Sequence, residues 1–120
     1  MVPVLLIDDD TELGKLLEEY LQSEQFHLDT AHDGPSGLQK ALLSQYAVVV
    51  LDVMLPGMSG LELLKRIKAE YETPPPIVMM ITAYGDQGNY QEAMRLGADD
   101  FLTKPVDFAH LKEKLRDVAA

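Results

Sequence analysis

The stretch Val48-Val49-Val50-Leu51-Asp52 limits what this chain can become more than any other. An unbroken β-branched and apolar run reads as a strand buried on both faces, as in the middle of a parallel sheet. The run stops at a carboxylate. Met54-Leu55-Pro56-Gly57-Met58-Ser59-Gly60 follows, a loop rich in Pro and Gly. Asp52 is therefore expected at the carboxyl end of a central strand, facing the crevice where open α/β sheets bind their ligands. Taken alone, an aspartate here fits a strand end and turn start equally well. The other segments separate the two readings.

Val4-Leu5-Leu6-Ile7 is a second apolar run, and it ends in Asp8-Asp9-Asp10. A helix follows, with Leu13, Leu16, Leu17, Tyr20 and Leu21 on one face. Phe26 to Ala31 alternates partly, which suits an outer strand. Asp33-Gly34-Pro35 starts a short helix, Asp33 being a cap, with Leu38, Ala41 and Leu42 facing the core. Ala47 to Leu51 is the third strand. Ser59 and Glu62 fit a capping box for a helix that buries Leu61, Leu64 and Ile67. Thr73-Pro74-Pro75-Pro76 ends it. Ile77-Val78-Met79-Met80-Ile81 is a fourth strand ending at Thr82, and Tyr84-Gly85-Asp86-Gln87-Gly88 is a loop. A modest helix near Tyr90, Ala93 and Met94 stops at Gly97. Asp100 to Thr103 is a short fifth strand and Lys104-Pro105 a turn. Asp107 caps a last helix that points Phe108, Leu111, Leu115 and Val118 inward.

Five strand-helix units in strict alternation imply an α/β fold: a five-stranded parallel sheet with helices on both faces, a three-layer sandwich. Short connections favour right-handed crossovers and the strand order 2-1-3-4-5, with a topological switch between the first and third strands. At 120 residues the chain is expected to be one domain, 1–120. Apolar residues are 47% of it, enough for a packed interior. Lys plus Arg total 10 and Asp plus Glu 20, a formal charge of −10 that repels nucleic acid and anionic membranes. No apolar run approaches the roughly 18 residues of a membrane span, and Met1-Val2-Pro3 lacks the form of a secretion signal. The absence of cysteine excludes disulfides and thiolate metal sites. The expected location is the cytoplasm.

The topology brings Asp8, Asp9 and Asp52 to one switch point, with Thr82 and Lys104 at the ends of the fourth and fifth strands. Like charges about 4 Å apart repel by roughly 4 kcal/mol at an effective dielectric of about 20. Protonation or a cation must offset that. Carboxylates with loop carbonyls and waters suit a hard ion such as Mg2+, or Mn2+ in its place. A carboxylate can attack phosphorus to form an acyl phosphate, and catalysis is then positioning and charge stabilisation. Lys104 supplies a mobile positive charge and Thr82 a hydroxyl donor. The plainer reading leaves Asp8 to Asp10 as solvated loop and cap residues.

Leu5-Leu6-Ile7-Asp8-Asp9-Asp10, Leu51-Asp52-Val53-Met54-Leu55-Pro56-Gly57, Ile81-Thr82-Ala83 and Lys104-Pro105 resemble the receiver domain of two-component response regulators. The resemblance covers almost the whole chain. It implies a flavodoxin-like fold and phosphoryl transfer from a sensor-kinase phosphohistidine, or a phosphotransfer protein, to Asp52. It implies metal on Asp9, Asp52 and the Met54 backbone carbonyl, with Asp8 acting through water, and a cis bond before Pro105. It also implies a switch in which Thr82 moves toward the phosphoryl group and the aromatic at Phe101 turns inward. That position is commonly Tyr, and Phe101 has no hydroxyl to satisfy, so it should favour the inward rotamer even without phosphate. Bulky Met54 and Tyr84 border the path of the hydrolytic water in such proteins and imply slow self-dephosphorylation.

His27, His32 and His110 are expected away from the crevice. Arg95, Lys112, Lys114 and Arg116 with Asp99 and Asp100 are placed to form ion pairs on the face of the last two strand-helix units, but surface pairs contribute little and a solvated charged face is the favoured reading. In receivers that face often mediates dimers or output contacts. The nearest rival is an aspartate-nucleophile phosphatase of the haloacid dehalogenase type, with Asp-x-Asp-x-Thr or Val. Asp8-Asp9-Asp10-Thr11-Glu12 departs from it at Glu12. A flavin-binding module would need a hydroxyl-rich loop where this chain has three acids. Intact Asp52, Thr82 and Lys104 argue against a receiver-like scaffold.

Overall fold

Strands and helices alternate from end to end: β1 (Val2–Ile7), α1 (Thr11–Leu21), β2 (Phe26–Ala31), α2 (Gly34–Leu43), β3 (Val48–Asp52), α3 (Gly60–Glu70), β4 (Ile77–Thr82), α4 (Gln87–Arg95), β5 (Asp100–Thr103) and α5 (Phe108–Ala119). The computed structural model describes residues 2–21, 25–70, 75–82 and 87–119. The strands form one sheet in the order β2-β1-β3-β4-β5, every neighbouring pair parallel. This is the flavodoxin-like order that the alternation implies.

β1, β3 and β4 each alternate between two cores although their sequences read as continuously apolar. Leu5, Ile7, Val49, Leu51, Val78 and Met80 pack with Leu38, Leu63, Leu64 and Ile67 beneath α2 to α4. Val4, Leu6, Val48, Val50, Met79 and Ile81 pack with Leu17, Leu21, Leu111 and Leu115 beneath α1 and α5. Both faces of β3 are dry, so all five of its residues are buried. Pro3 lies inside β1 without breaking it. Its carbonyl accepts from Ala47 N at 2.9 Å, and pairing with β3 begins only at Val4, where an N–H is first needed.

The caps follow the acids and hydroxyls. Asp10 Oδ1 accepts from Glu12 N and Leu13 N at 3.1 and 3.2 Å, and Asp33 Oδ1 from Ser36 N at 2.7 Å. Ser59 Oγ accepts from Leu61 N and Asp107 Oδ1 from His110 N, both at 3.2 Å. Gly97 ends α4 with φ +102°, a conformation that favours glycine.

Several inward assignments shift. On α1, Leu17 and Leu21 are buried, whereas Leu16 and Tyr20 flank the buried stripe and are exposed. Tyr20 instead meets the Phe108 ring at 5.7 Å, with Lys112 Nζ 4.8 Å from its own centroid. Leu42 of α2 is exposed, and so are Tyr90 and Met94 of α4, leaving Ala93 as the buried residue of that helix. On α3 the buried set is Leu63, Leu64 and Ile67, with Leu61 half-buried. Contact of Gly60 with β3 sets that rotation. Phe108 is half-buried, and the side chain of Val118 lies outside the described residues.

Asp99 ties β4 to its neighbours. Its Oδ2 accepts from Val78 N at 2.9 Å and from Lys68 Nζ at 2.8 Å, while its own N–H donates to Val78 O. Asp99→Ala leaves the Val78 amide without that acceptor and is expected to cost about 1–3 kcal/mol, read from the urea midpoint.

Candidate functional site

Two strand ends build the centre. β1 stops at Ile7 and β3 at Asp52, and the two strands are neighbours at the point where the sheet order reverses. Asp8 and Asp52 are both buried there, at 1% and 4% exposure, and Asp9 lies at the surface. One carboxylate oxygen from each of Asp8, Asp9 and Asp52 lies within 4.8 Å of the others. The peptide bond Lys104–Pro105 is cis, and Lys104 N donates to Thr82 O at 2.8 Å. Lys104 is thereby tied to the end of β4. Its Nζ reaches Asp52 Oδ2 at 3.1 Å and Asp8 Oδ2 at 3.2 Å. Thr82 is buried at the end of β4, one residue past Ile81, which pairs with Asp52.

The backbone positions both buried acids. Asp52 Oδ1 accepts from Met54 N at 3.1 Å, so the chain folds back over the carboxylate directly after the strand. Asp8 Oδ1 accepts from Asp10 N at 2.9 Å. Asp8 Oδ2 is buried and has no geometrically defined hydrogen bond, although the Lys104 ammonium lies 3.2 Å away and attracts it. Burial pushes the Asp8 carboxyl above its ordinary range; the Asp10 amide pulls it back, and the charge of Asp52 pushes it up again. Burial also draws the Lys104 ammonium down. The hydrogen bond to Asp52 and the attraction of both acids outweigh this, and Lys104 stays above its ordinary value.

Two of these carboxylates, Asp8 and Asp52, thus share the Lys104 ammonium, and Asp9 adds a third beside them. A buried oxygen without a donor, beside two more acids, is a donor set that fits a hard divalent ion. Asp8, Asp9 and Asp52 are the side chains that can hold it.

The remaining candidates lie around this centre. Phe101 of β5 is half-buried against the core, and the Tyr90 ring meets it edge-on at 4.9 Å. Met54 is 70% exposed beside Asp52. Tyr84 lies outside the described residues. On the outer face Lys114 pairs with Asp100 at 2.6 Å. Asp99 pairs with Lys68 of α3, and Arg95 pairs with Glu92 of its own helix. His27 is exposed beside Asp29, and His110 is exposed on α5.

His32 departs from expectation. Its Nδ1 lies 3.2 Å from the Asp8 carbonyl, at the rim of the crevice. Register is the reason: Ile7 pairs with Ala31, which brings the residues that follow, Asp8 and His32, side by side.

Comparison with known proteins agrees with this geometry. The response regulator receiver domain family matches residues 4–116. The response regulator ArlR of Staphylococcus aureus is 36% identical over 98% of this chain and 52% of its own. The chain thus spans about half the length of the curated relatives it matches. A CheY-like receiver domain protein of Methanospirillum hungatei superposes with a TM-score of 0.90 at 28% identity, covering 98% of this chain and 92% of that one. The receiver domain of a putative Luxo repressor from Vibrio parahaemolyticus gives 0.89 at 30% identity, covering 98% and 88%. The BeF3-activated DrrB receiver domain gives 0.87 at 31% identity, covering 99% and 97%. The chain belongs to the response regulator receiver domain family of two-component signalling. Within it, the chain is a flavodoxin-like receiver whose acidic crevice lies at the β1/β3 switch point.

Proposed function

We propose that residues 1–120 are one receiver domain in which Asp52 accepts a phosphoryl group from the phosphohistidine of a sensor kinase or phosphotransfer protein. An Asp52 carboxylate oxygen attacks phosphorus. The new P–O bond forms as the P–N bond breaks, and the departing imidazole nitrogen keeps the electron pair and takes up a proton. Lys104 follows the charge from the carboxylate to the phosphoryl oxygens, and Thr82 offers its hydroxyl to another of them. Asp9, Asp52 and the Met54 carbonyl would hold Mg2+ or Mn2+, with Asp8 acting through water. The ion supplies neutralisation of the phosphoryl oxygens. One observation carries the reading: Lys104 Nζ sits 3.1 and 3.2 Å from two buried carboxylates, one of which keeps an oxygen without a hydrogen bond. The receiver domain of DrrB, a relative at 31% identity, is BeF3-activated, which supports a phosphoryl-like group as the switch in domains of this kind.

Phosphorylation would draw Thr82 inward and let Phe101 settle behind it. The half-buried Phe101 ring, already covered on one edge by Tyr90, fits a residue biased inward before phosphorylation. The readout face is α4, β5 and α5, where an output domain, an effector or a second copy would dock. Asp52 turns over no separate substrate; beyond its own phosphorylation it undergoes only slow self-dephosphorylation. The domain works in the cytoplasm.

Intact mass after acetyl phosphate with MgCl2 tests the reading. One phosphoryl group is expected on the wild type and none on Asp52→Ala. Label on Asp8 would instead support the haloacid dehalogenase type of phosphatase. No label on any acid would end the proposal.

A further inference from the structure

Asp8 is held at every polar atom but one. Its N–H donates to Ala31 O at 3.0 Å, its Oδ1 accepts from Asp10 N at 2.9 Å, and its carbonyl faces His32 Nδ1 at 3.2 Å. Only Oδ2 is left without a hydrogen bond, and it faces the crevice. The carbonyl in question belongs to the peptide that joins Asp8 to Asp9. Fixing its oxygen fixes the plane of that peptide, and with it the position from which the surface carboxylate of Asp9 must reach the ion.

A carbonyl oxygen accepts only, so the imidazole carries its proton on Nδ1. The bond comes from the β2-α2 turn, outside the β1-α1 loop that it steadies. We infer that His32 is a positioning residue for the divalent-cation site: it clamps the Asp8–Asp9 peptide so that Asp9 is presented to the ion without first having to be ordered. The inference rests on the cation site of the proposed function. The plainer alternative is a surface histidine whose contact with the loop has no consequence for the ion.

The test turns on which ring nitrogen matters. The side-chain nitrogen of Asn occupies the place of histidine Nδ1, whereas that of Gln occupies the place of Nε2. Magnesium affinity is measured by titrating the metal-free chain with MgCl2 in a calorimeter, for wild type, His32→Ala, His32→Asn and His32→Gln. Partners that orient ligands typically change metal affinity about 10–100-fold, and a backbone clamp one bond further out should give about threefold to tenfold. His32→Ala and His32→Gln are expected to lose that factor and His32→Asn to regain it. The 15N order parameter of Asp9 in metal-free protein should fall and recover in the same pattern. If all three variants bind like wild type, or all three weaken alike, the positioning role is wrong while the cation site stands. If the wild type itself takes up no magnesium, the cation site fails and the inference goes with it.

Discussion

Gly60→Ala is expected to remove about 3 kcal/mol or more of stability, a large share of the roughly 5–15 kcal/mol that holds a domain of this size together. A Cβ built on Gly60 would lie 2.0 Å from Asp52 O, 2.7 Å from Val53 Cα and 2.9 Å from Asp52 C. All three atoms are backbone, so no rotamer change relieves the overlap. Either the first turn of α3 backs away from the sheet or the end of β3 bends. The first choice loses the 2.8 Å bond from Gly60 N to Val53 O, and the second moves Asp52 itself. Urea unfolding measures the loss. Gly88→Ala is the control: nothing lies within 4 Å of its added Cβ, and at an exposed first-turn position the change gains at most about 0.5–1 kcal/mol, the value for a helix interior. Equal midpoints for the two variants would show that α3 does not rest on β3 as closely as described. At temperatures where Gly60→Ala remains folded, phosphoryl uptake below wild type would show that the end of β3 and its nucleophile have shifted, and unchanged uptake that α3 has backed away instead.

Asp8→Asn is expected to stabilise the metal-free domain at pH 7 by about 1–2 kcal/mol. Carboxylate oxygens within 4.8 Å of one another repel by about 3.5 kcal/mol or more at an effective dielectric of about 20, and Lys104 offsets part of that. Asn keeps the oxygen that accepts from Asp10 N and removes the charge. The pH dependence has a definite sign. The folded state holds the Asp8 proton more tightly than the unfolded chain, whose ordinary value is 3.8. The stability this contributes is complete below that value and disappears as pH rises through the elevated folded-state value. Wild type should therefore approach Asp8→Asn in stability near pH 4 and fall behind it toward neutrality. Groups common to both proteins cancel in the difference. Added MgCl2 should reverse the order at pH 7, because a ligand of the ionised site stabilises only the form that retains all three acids. A stability difference that stayed constant with pH would mean that Asp8 carries no strained charge.

These two substitutions act on different kinds of information. The strand run at residues 48–52 and the acids at 8–10 were legible in the linear chain, because burial on both sides demands continuous apolar side chains and a ligand crevice demands polar ones at the strand ends. Strand order followed from alternation and short connections. Capping at Asp33, Ser59 and Asp107 followed from residues that outcompete water for free amides.

Helix faces were legible only in part. The i, i+3, i+4 rule gives a stripe wider than the one the sheet covers, so Leu16, Tyr20 and Leu42 were assigned inward but lie at its edges. The ion-pair partners on the outer face were also undetermined. Lys68 is 31 residues from Asp99, and nothing local distinguishes it from Arg95.

The chain alone therefore determined which atoms can carry charge and at which ends of which strands they stand, since periodicity and residue type are local properties. Folding alone decided what lies within hydrogen-bond reach across the sheet: Lys104 between Asp8 and Asp52, Gly60 against the Asp52 carbonyl, and His32 on the Asp8–Asp9 peptide. Those contacts depend on strand register and on the rotation of each helix, which every packed side chain sets together and no short stretch encodes.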